Sequence, residues 1–241
     1  MTINILGING SPRSKSNTAI ILDRALQGAA SVSGVCVETY NFCDKDFCGC
    51  KATCMAYCLK NGKCTIKDDF NQFMELYLKA DGVLWAAPVY HAGPPGQVKC
   101  VMDRLGNVLF SYFRRESPRL NKACGAIVQG SSRWGGQELA LQSFINHFVL
   151  MKCVPVTGDM PKSYFGVAGY APTWKPGSIC EDQLALMTAE NTGIRVAEMA
   201  KILKDGTEQQ REELPDVYFL DKILEKRRNR EETIDMEWEK K

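Results

Sequence analysis

Charge of one sign is nearly missing from this chain. Thirty Lys and Arg stand against 28 Asp and Glu, a net charge of +2 over 241 residues. Surfaces built for nucleic acid or anionic lipid carry a marked basic excess, so neither partner is expected. No apolar run approaches the roughly 20 residues that span a bilayer. The opening MTINILGINGSPRS has no basic leader and runs straight into a strand, so no signal peptide is expected. Histidine is scarce, with two in all, and His91 is given no acid–base role. Repeats and low-complexity tracts are missing as well. What remains is a globular mixture, 45% hydrophobic and 24% charged. Its length suits one domain, or one domain with an extension.

Cysteine is the abundant exception. Of the 11 cysteines, six (Cys43, Cys48, Cys50, Cys54, Cys58 and Cys64) fall within one short stretch. A small secreted domain spreads its cysteines along the chain as staples. Crowding in a single insertion, an odd total and no export signal point to reduced thiols, a cytoplasmic setting and a metal site. Cys36, Cys100, Cys124 and Cys153 lie in strand or helix patterns and read as small buried hydrophobes.

Strand and helix patterns alternate. Residues 3–8, 35–40, 82–87, 123–128 and 153–157 read as strands. Residues 17–30, 68–78, 95–110, 137–151 and 181–203 read as helices, with Asp68 or Asp69 as a cap. A Gly-, Pro- and aromatic-rich loop runs on to about 177. The alternation predicts a doubly wound parallel α/β sheet of five strands. Ligands then bind beyond the carboxyl ends of the strands. A single α/β domain over 1–204 would carry the cysteine-rich insert at 43–64. Residues 205–241 form a charged helical extension, with 20 of 37 residues charged. That extension either packs on its own domain or wraps a neighbour through Val217, Leu220, Leu224, Ile234, Met236 and Trp238.

The loop after the first strand reads GINGSPRSKSNT over residues 7–18. A strand running into a helix N-terminus offers free backbone N–H groups and a positive dipole end. Ser11, Ser16, Asn17 and Thr18 add donors and Arg13 adds charge, together a cradle for phosphate. It lacks the Gly-Lys-Ser/Thr ending of a nucleotide P-loop and the G-x-G-x-x-G of a dinucleotide fold.

GSPRSKSNT resembles the phosphate loop of the NADPH-dependent FMN reductase family, whose fold is flavodoxin-like. Two more motifs continue the resemblance: APVYHAGPPGQVK at 87–99, completed by Asp103-Arg104, and QGSSRWGGQE at 129–138. The resemblance implies FMN, with Pro88, Val89, Tyr90 and His91 along the ring edge. Gly130, Gly135 and Gly136 would form the opposite wall. A core aromatic is the alternative reading of Tyr90, and Trp134 either stacks on the ring or fills the loop. NAD(P)H is implied as a co-substrate. The flavin itself carries the chemistry, so no catalytic side chain is assigned.

The cysteine segment resembles that of iron–sulfur flavoproteins, which implies a [4Fe–4S] cluster exchanging electrons with FMN. The spacing departs from their C-x2-C-x2-C pattern. Cys50, Cys54 and Cys58 recur every four residues, which on a helix would place them on one face. With Cys64 they make the four thiolates that a cluster requires, and Cys48 is the substitute. Zinc, disulfides or free thiols are the alternatives. Three functions stand: an iron–sulfur flavoprotein, a cluster-free NAD(P)H-dependent flavin, quinone or azo reductase, and a flavodoxin-like electron carrier. The electron partner would be a small molecule or a redox protein, a ferredoxin-like one included. A homodimer or homotetramer is expected from the aromatic stretches at 108–113 and 164–174.

Overall fold

Apolar residues alternate along the central strands, and that alternation builds two cores. The computed structural model describes residues 2–114, 117–159 and 163–229. Strand β1 (Ile3–Asn9) pairs in parallel with β2 (Val35–Asn41) and β3 (Gly82–Pro88), and β3 pairs with β4 (Ala123–Gly130). One face carries Leu6, Ile8, Val83 and Trp85 under helices α3 (Phe70–Lys79), α4 (Gly96–Phe113) and α5 (Gln137–Leu150). The other carries Ile3, Ile5, Leu84 and Ala86 under α1 (Asn17–Ala30) and α6 (Gln183–Gln209). Burying both faces explains why the central strands read as unbroken apolar runs.

Strand order is β2-β1-β3-β4-β5, a doubly wound parallel sheet as the alternation predicts. The fifth position differs from the expected single strand. Val154–Pro155 (β5) pairs with the start of β4, and Val167–Tyr170 (β6) pairs with its end. Val154 and Val156 N–H donate to Lys122 O and Cys124 O, each at 2.8 Å, and Pro155 between them turns its donor-less nitrogen to the open edge. The chain leaves the edge and re-enters at Gly166, where φ is +137° and a Cβ would stand 2.5 Å from the Ala126 carbonyl oxygen. Only glycine fits there.

Helices α1 and α6 touch backbone to backbone. A Cβ on Gly193 would lie 1.8 Å from Ala25 O, and one on Gly28 would lie 2.3 Å from Glu190 O. Helix α6 runs on to Gln209, so the domain edge expected at Lys204 falls inside a helix. The following chain folds back. Phe219 and Ile223 are buried, and helix α7 (Leu220–Asn229) follows a short 3₁₀ turn at Asp216–Tyr218. Arg119 N–H donates to Val217 O at 2.7 Å. Up to residue 229 the extension therefore packs on its own domain. Ile234, Met236 and Trp238 lie outside the described residues.

Of the isolated cysteines, Cys124 and Cys153 are buried, Cys100 is half-buried and Cys36 is exposed. Cys36 corrects the expectation. It sits on edge strand β2, whose outer residues face water. All eleven cysteines are free thiols.

Candidate functional site

Three loops leave the carboxyl ends of β1, β3 and β4 side by side. In the first, Gly10 N–H donates to Ala86 O at 2.8 Å, and a Cβ on Gly10 would meet Val98 at 2.5 Å. The turn is thereby pressed onto β3 and α4. Ser11 is buried; its N–H is held by Asn9 Oδ1 at 3.2 Å and its Oγ accepts from Arg13 N–H at 3.2 Å. Arg13 is exposed. Ser16 caps α1 by accepting from Ala19 N–H at 3.1 Å. The N–H groups of Asn17 and Thr18 have no intrahelical acceptor at such a terminus and are free to meet an anion.

Two predicted contacts have side chains committed elsewhere. Asn17 Nδ2 donates to Thr173 O, Lys175 O and Ser178 Oγ, and its Oδ1 accepts from Gly177 and Ile179 N–H. Asn17 thus ties the loop after β6 to the phosphate turn and contributes there through its backbone. Thr18 is fully buried and its hydroxyl accepts from Gln129 Nε2 at 3.1 Å.

The other loops face each other. Pro88 is buried at the end of β3, and Val89 N–H donates to Gln129 O at 2.9 Å. Tyr90 and Gly93 exchange backbone hydrogen bonds around a tight turn in which His91 and Ala92 take φ of +46° and +60°. Tyr90 is 46% exposed, so it belongs to the rim and not to the core. Gly136 has φ +99°, and a Cβ there would stand 2.5 Å from Ala92 Cα. The two loops meet at that glycine. Gln137 braces the same loop, accepting from Gly135 N–H at 3.0 Å and donating to Ser132 O at 2.6 Å. Ala171 N–H donates to Gly130 O at 2.9 Å, which joins the loop to β6. Trp134 is 91% exposed and fills nothing within the loop. A phosphate cradle, a glycine wall and an exposed aromatic rim together fit a flavin mononucleotide.

The cysteine insert leaves β2 at the same edge, where Phe42 N–H donates to Asn9 O at 3.0 Å. Helix α2 spans Met55–Asn61, so the expected three-cysteine helical face is not formed. Cys54 is the cap residue, and Cys50 lies before it on an irregular stretch where Ala52 has φ +56°. Non-helical backbone there breaks the four-residue register. Cys58 and Cys64 are buried, Cys54 is half-buried and Cys50 is exposed. Burial first, and then charge repulsion from Cys64, Cys54 and Cys50, raises the Cys58 thiol to about 11. Among the described residues no group of three or more His, Cys, Asp or Glu converges closely enough to hold a metal ion.

One face of α4 receives this insert. Cys100 neighbours Cys48, Asn107 Nδ2 donates to Cys50 Sγ at 3.4 Å, and Arg104 reaches deepest. Arg104 forms a fork with Asp68 at 2.5 and 2.8 Å, with both side chains almost wholly buried. Its Nη1 also donates to Cys48 O at 3.1 Å, and its guanidinium stacks on Phe70. Asp68 accepts from Cys48 N–H at 2.9 Å and Phe70 N–H at 3.2 Å. Burial alone would raise the Asp68 pKa. The Arg104 hydrogen bonds and the two N–H groups outweigh it and hold the carboxyl below its usual value. Asn71 clasps Cys64 at both its N–H and its carbonyl, each at 2.9 Å.

Residues 3–164 match the family model for NADPH-dependent FMN reductase. The chain belongs to that family. It is a flavin-dependent oxidoreductase with a flavodoxin-like fold. An iron–sulfur flavoprotein of Methanocaldococcus jannaschii is 34% identical over 202 residues, covering 84% of this chain and 100% of that protein. An iron–sulfur flavoprotein of Methanosarcina thermophila is 33% identical over 208 residues, covering 86% and 100%. Among solved structures, a WrbA-like flavodoxin of Agrobacterium tumefaciens superposes with a TM-score of 0.53 at 15% identity, covering 84% of this chain and 99% of that one.

Within the flavoprotein, Arg104 departs from the expectation. The Asp103-Arg104 pair continues a flavin-loop motif in sequence, yet the Arg104 side chain serves the cysteine insert. Sequence reasoning also missed Asn9, Asn71 and Gln137, which hold loop backbone. A signal for the α4 face was present. Cys100, Arg104 and Asn107 recur at helical spacing between buried Val101, Leu105 and Val108.

Proposed function

We propose that this flavin-dependent oxidoreductase moves electrons between FMN and a [4Fe–4S] cluster held by Cys50, Cys54, Cys58 and Cys64. The observation that carries the reading is the surroundings of Cys58. The cysteines that act on it are Cys64, Cys54 and Cys50, on an insert leaving the same sheet edge as the flavin loops. Cys48 neighbours Cys100 instead, which favours the chosen four over the substitute. The donor set suits iron–sulfur or zinc, and similarity to two iron–sulfur flavoproteins favours iron. Bound FMN supplies a ring that exchanges hydride or single electrons, and a cluster supplies single electrons.

The chain's own residues bind and orient. Ser11, Arg13, Ser16 and the first N–H groups of α1 hold the phosphate. Pro88, Val89, Tyr90 and His91 line one edge of the ring, and Gly130, Gly135 and Gly136 admit it on the other. NAD(P)H or a redox protein approaches over the exposed rim, in the cytoplasm, where thiols stay reduced. No described helix is long and apolar enough to cross a membrane.

A homo-oligomer completes the reading. Of the two aromatic stretches, Val108, Leu109 and Phe113 are buried in their own core, whereas Tyr164, Phe165 and Trp174 are 61%, 61% and 81% exposed. With Trp134 they offer the apolar surface that a second copy would cover. Light scattering giving a monomer at micromolar concentration removes this part.

The deciding experiment is iron, sulfide and FMN analysis of anaerobically purified protein and its Cys58→Ser and Cys64→Ser variants. Both variants are expected to lose iron and keep FMN. Full iron in both sinks the ligand assignment. Stoichiometric zinc in the parent protein replaces the cluster.

A further inference from the structure

Burying an Asp–Arg pair to this extent is poorly explained by stability, since apolar residues of similar volume often serve as well. What the pair touches explains it better. Asp68 and Arg104 together hold both backbone groups of Cys48. The Arg104 guanidinium stands beside the Cys64 sulfur, and its buried Nε finds no partner among protein atoms. A neutral thiol is a weak acceptor, whereas a thiolate bound to metal is a strong one. The guanidinium therefore keeps one unused donor, its Nε, in the buried wall of the insert.

We propose that Arg104 and Asp68 are the positioning residues of the cysteine insert. The pair fixes the Cys48 backbone and the turn leading into α3 against α4, and this places the Arg104 guanidinium beside the Cys64 sulfur. The second half rests on reading Cys64 as a cluster ligand. Cys64 is thereby set before iron arrives, its backbone clasped by Asn71 and its sulfur faced by Arg104. Cys50 and Cys54 sit on the irregular stretch and must close onto it. A cation facing a cluster sulfur favours the more negative, reduced cluster, so it raises the reduction potential.

The test compares the whole protein with Arg104→Lys and with the double variant Asp68→Leu/Arg104→Met. The double variant leaves no lone buried charge and keeps the fold testable. Lysine keeps the charge but lacks the planar fork that reaches Asp68 and Cys48 together. Hydrogen exchange is measured on FMN-loaded, iron-free protein; iron release to a chelator and the cluster potential are measured on loaded protein. Exchange protection is expected to fall at the Cys48 and Phe70 amides in both variants and to persist in β1, β3 and β4. Iron release is expected to quicken roughly tenfold in the double variant, the effect of one lost charge-assisted hydrogen bond. The potential is expected to fall in the double variant and to stay nearer the parent value with lysine. Unchanged exchange overturns the positioning role. Unchanged potential and iron release overturn the contact with Cys64. If the parent protein holds no iron, the cluster reading fails and the Cys64 half goes with it, while exchange alone still decides the positioning half.

Discussion

The flavin loops and the cysteine insert leave the same edge of one sheet, and they are held in different ways. The flavin loops are fixed by backbone pressed against backbone. Gly10 lies on β3, Gly136 lies on Ala92, and Ser16 and Gln137 satisfy the loops' own N–H and carbonyl groups. The insert has the backbone of two of its cysteines clasped by polar side chains, Cys48 by Arg104 with Asp68 and Cys64 by Asn71. Between those points Cys50 and Cys54 are on irregular, accessible backbone. A rigid cradle suits a ligand whose shape does not change during electron transfer. An insert anchored at its ends suits thiols that must gather around a metal.

Breaking one anchor should separate the two regions most sharply. Asp68→Ala strands the Arg104 charge in the core, a loss of about 3–5 kcal/mol for a broken buried pair. Denaturant unfolding of the FMN-loaded protein should show this. FMN content per folded chain should stay unchanged. If FMN is lost in proportion, the insert and the cradle are one cooperative unit and the contrast fails.

The reverse experiment touches only the cradle. Arg13→Ala should weaken FMN binding by about 1.5–3 kcal/mol, the worth of a hydrogen bond to a charged group. Calorimetric titration of apoprotein with FMN and with riboflavin is the check, because riboflavin has no phosphate. Equal losses for both would show that Arg13 does not meet the phosphate. Ser11→Ala should act in the same direction, with some added loss of stability because Ser11 Oγ also holds Arg13 N–H.

Much of this contrast was legible in the sequence, on the flavin side above all. The doubly wound parallel sheet follows from alternation of strand and helix, and the turn at 10–16 was marked by Gly10, Ser11 and Ser16. Glycine and capping residues act locally, so their neighbours in sequence reveal their role. The insert was less legible because its anchors are distant. Asp68 and Arg104 are 36 residues apart, and nothing local to either names the other. Four-residue spacing of Cys50, Cys54 and Cys58 suggested a helix, but a seven-residue helix begins only after Cys54. The split edge strand was hidden for a similar reason. Val167–Tyr170 is too short to stand out from the Gly-rich loop around it, and its pairing with β4 makes it a strand.

Alkali should tell the regions apart by charge. The Cys58 thiol is raised to about 11 by burial and its cysteine neighbours, and Tyr40 beneath the insert is raised to about 12 by burial and then by Asp69, Asp44 and Asp68. Both groups keep their protons in the folded protein after the unfolded chain has released them. The folded state then binds more protons than the unfolded one, so stability falls as pH rises. For Cys58 the window runs from the ordinary thiol value of 9.0 in the unfolded chain to about 11. Metal-free protein should therefore lose denaturant resistance across that range, and Cys58→Ala should flatten the loss. The same variant changes no residue of the cradle, so FMN affinity measured over the range should follow that of the parent protein. A steeper decline in the variant would show that another group governs the alkaline limb.

The smallest expected effect probes how α1 serves both fold and flavin. Ser16 Oγ accepts from Ala19 N–H at 3.1 Å and closes the first turn. Replacing such a cap by alanine costs about 1 kcal/mol of stability. The same change frees one more N–H at a terminus already facing the phosphate. If Ser16 is only a cap, FMN should restore the lost stability fully, because its phosphate offers that N–H an acceptor in place of the hydroxyl. If Ser16 also donates its hydroxyl proton to the phosphate, as proposed here, FMN-loaded Ser16→Ala protein should remain less stable than the loaded parent by more than the metal-free, flavin-free pair differ. Thermal unfolding of all four forms gives the two differences directly. Iron content should not move in either case, since the first turn of α1 contributes nothing to the insert's two anchors.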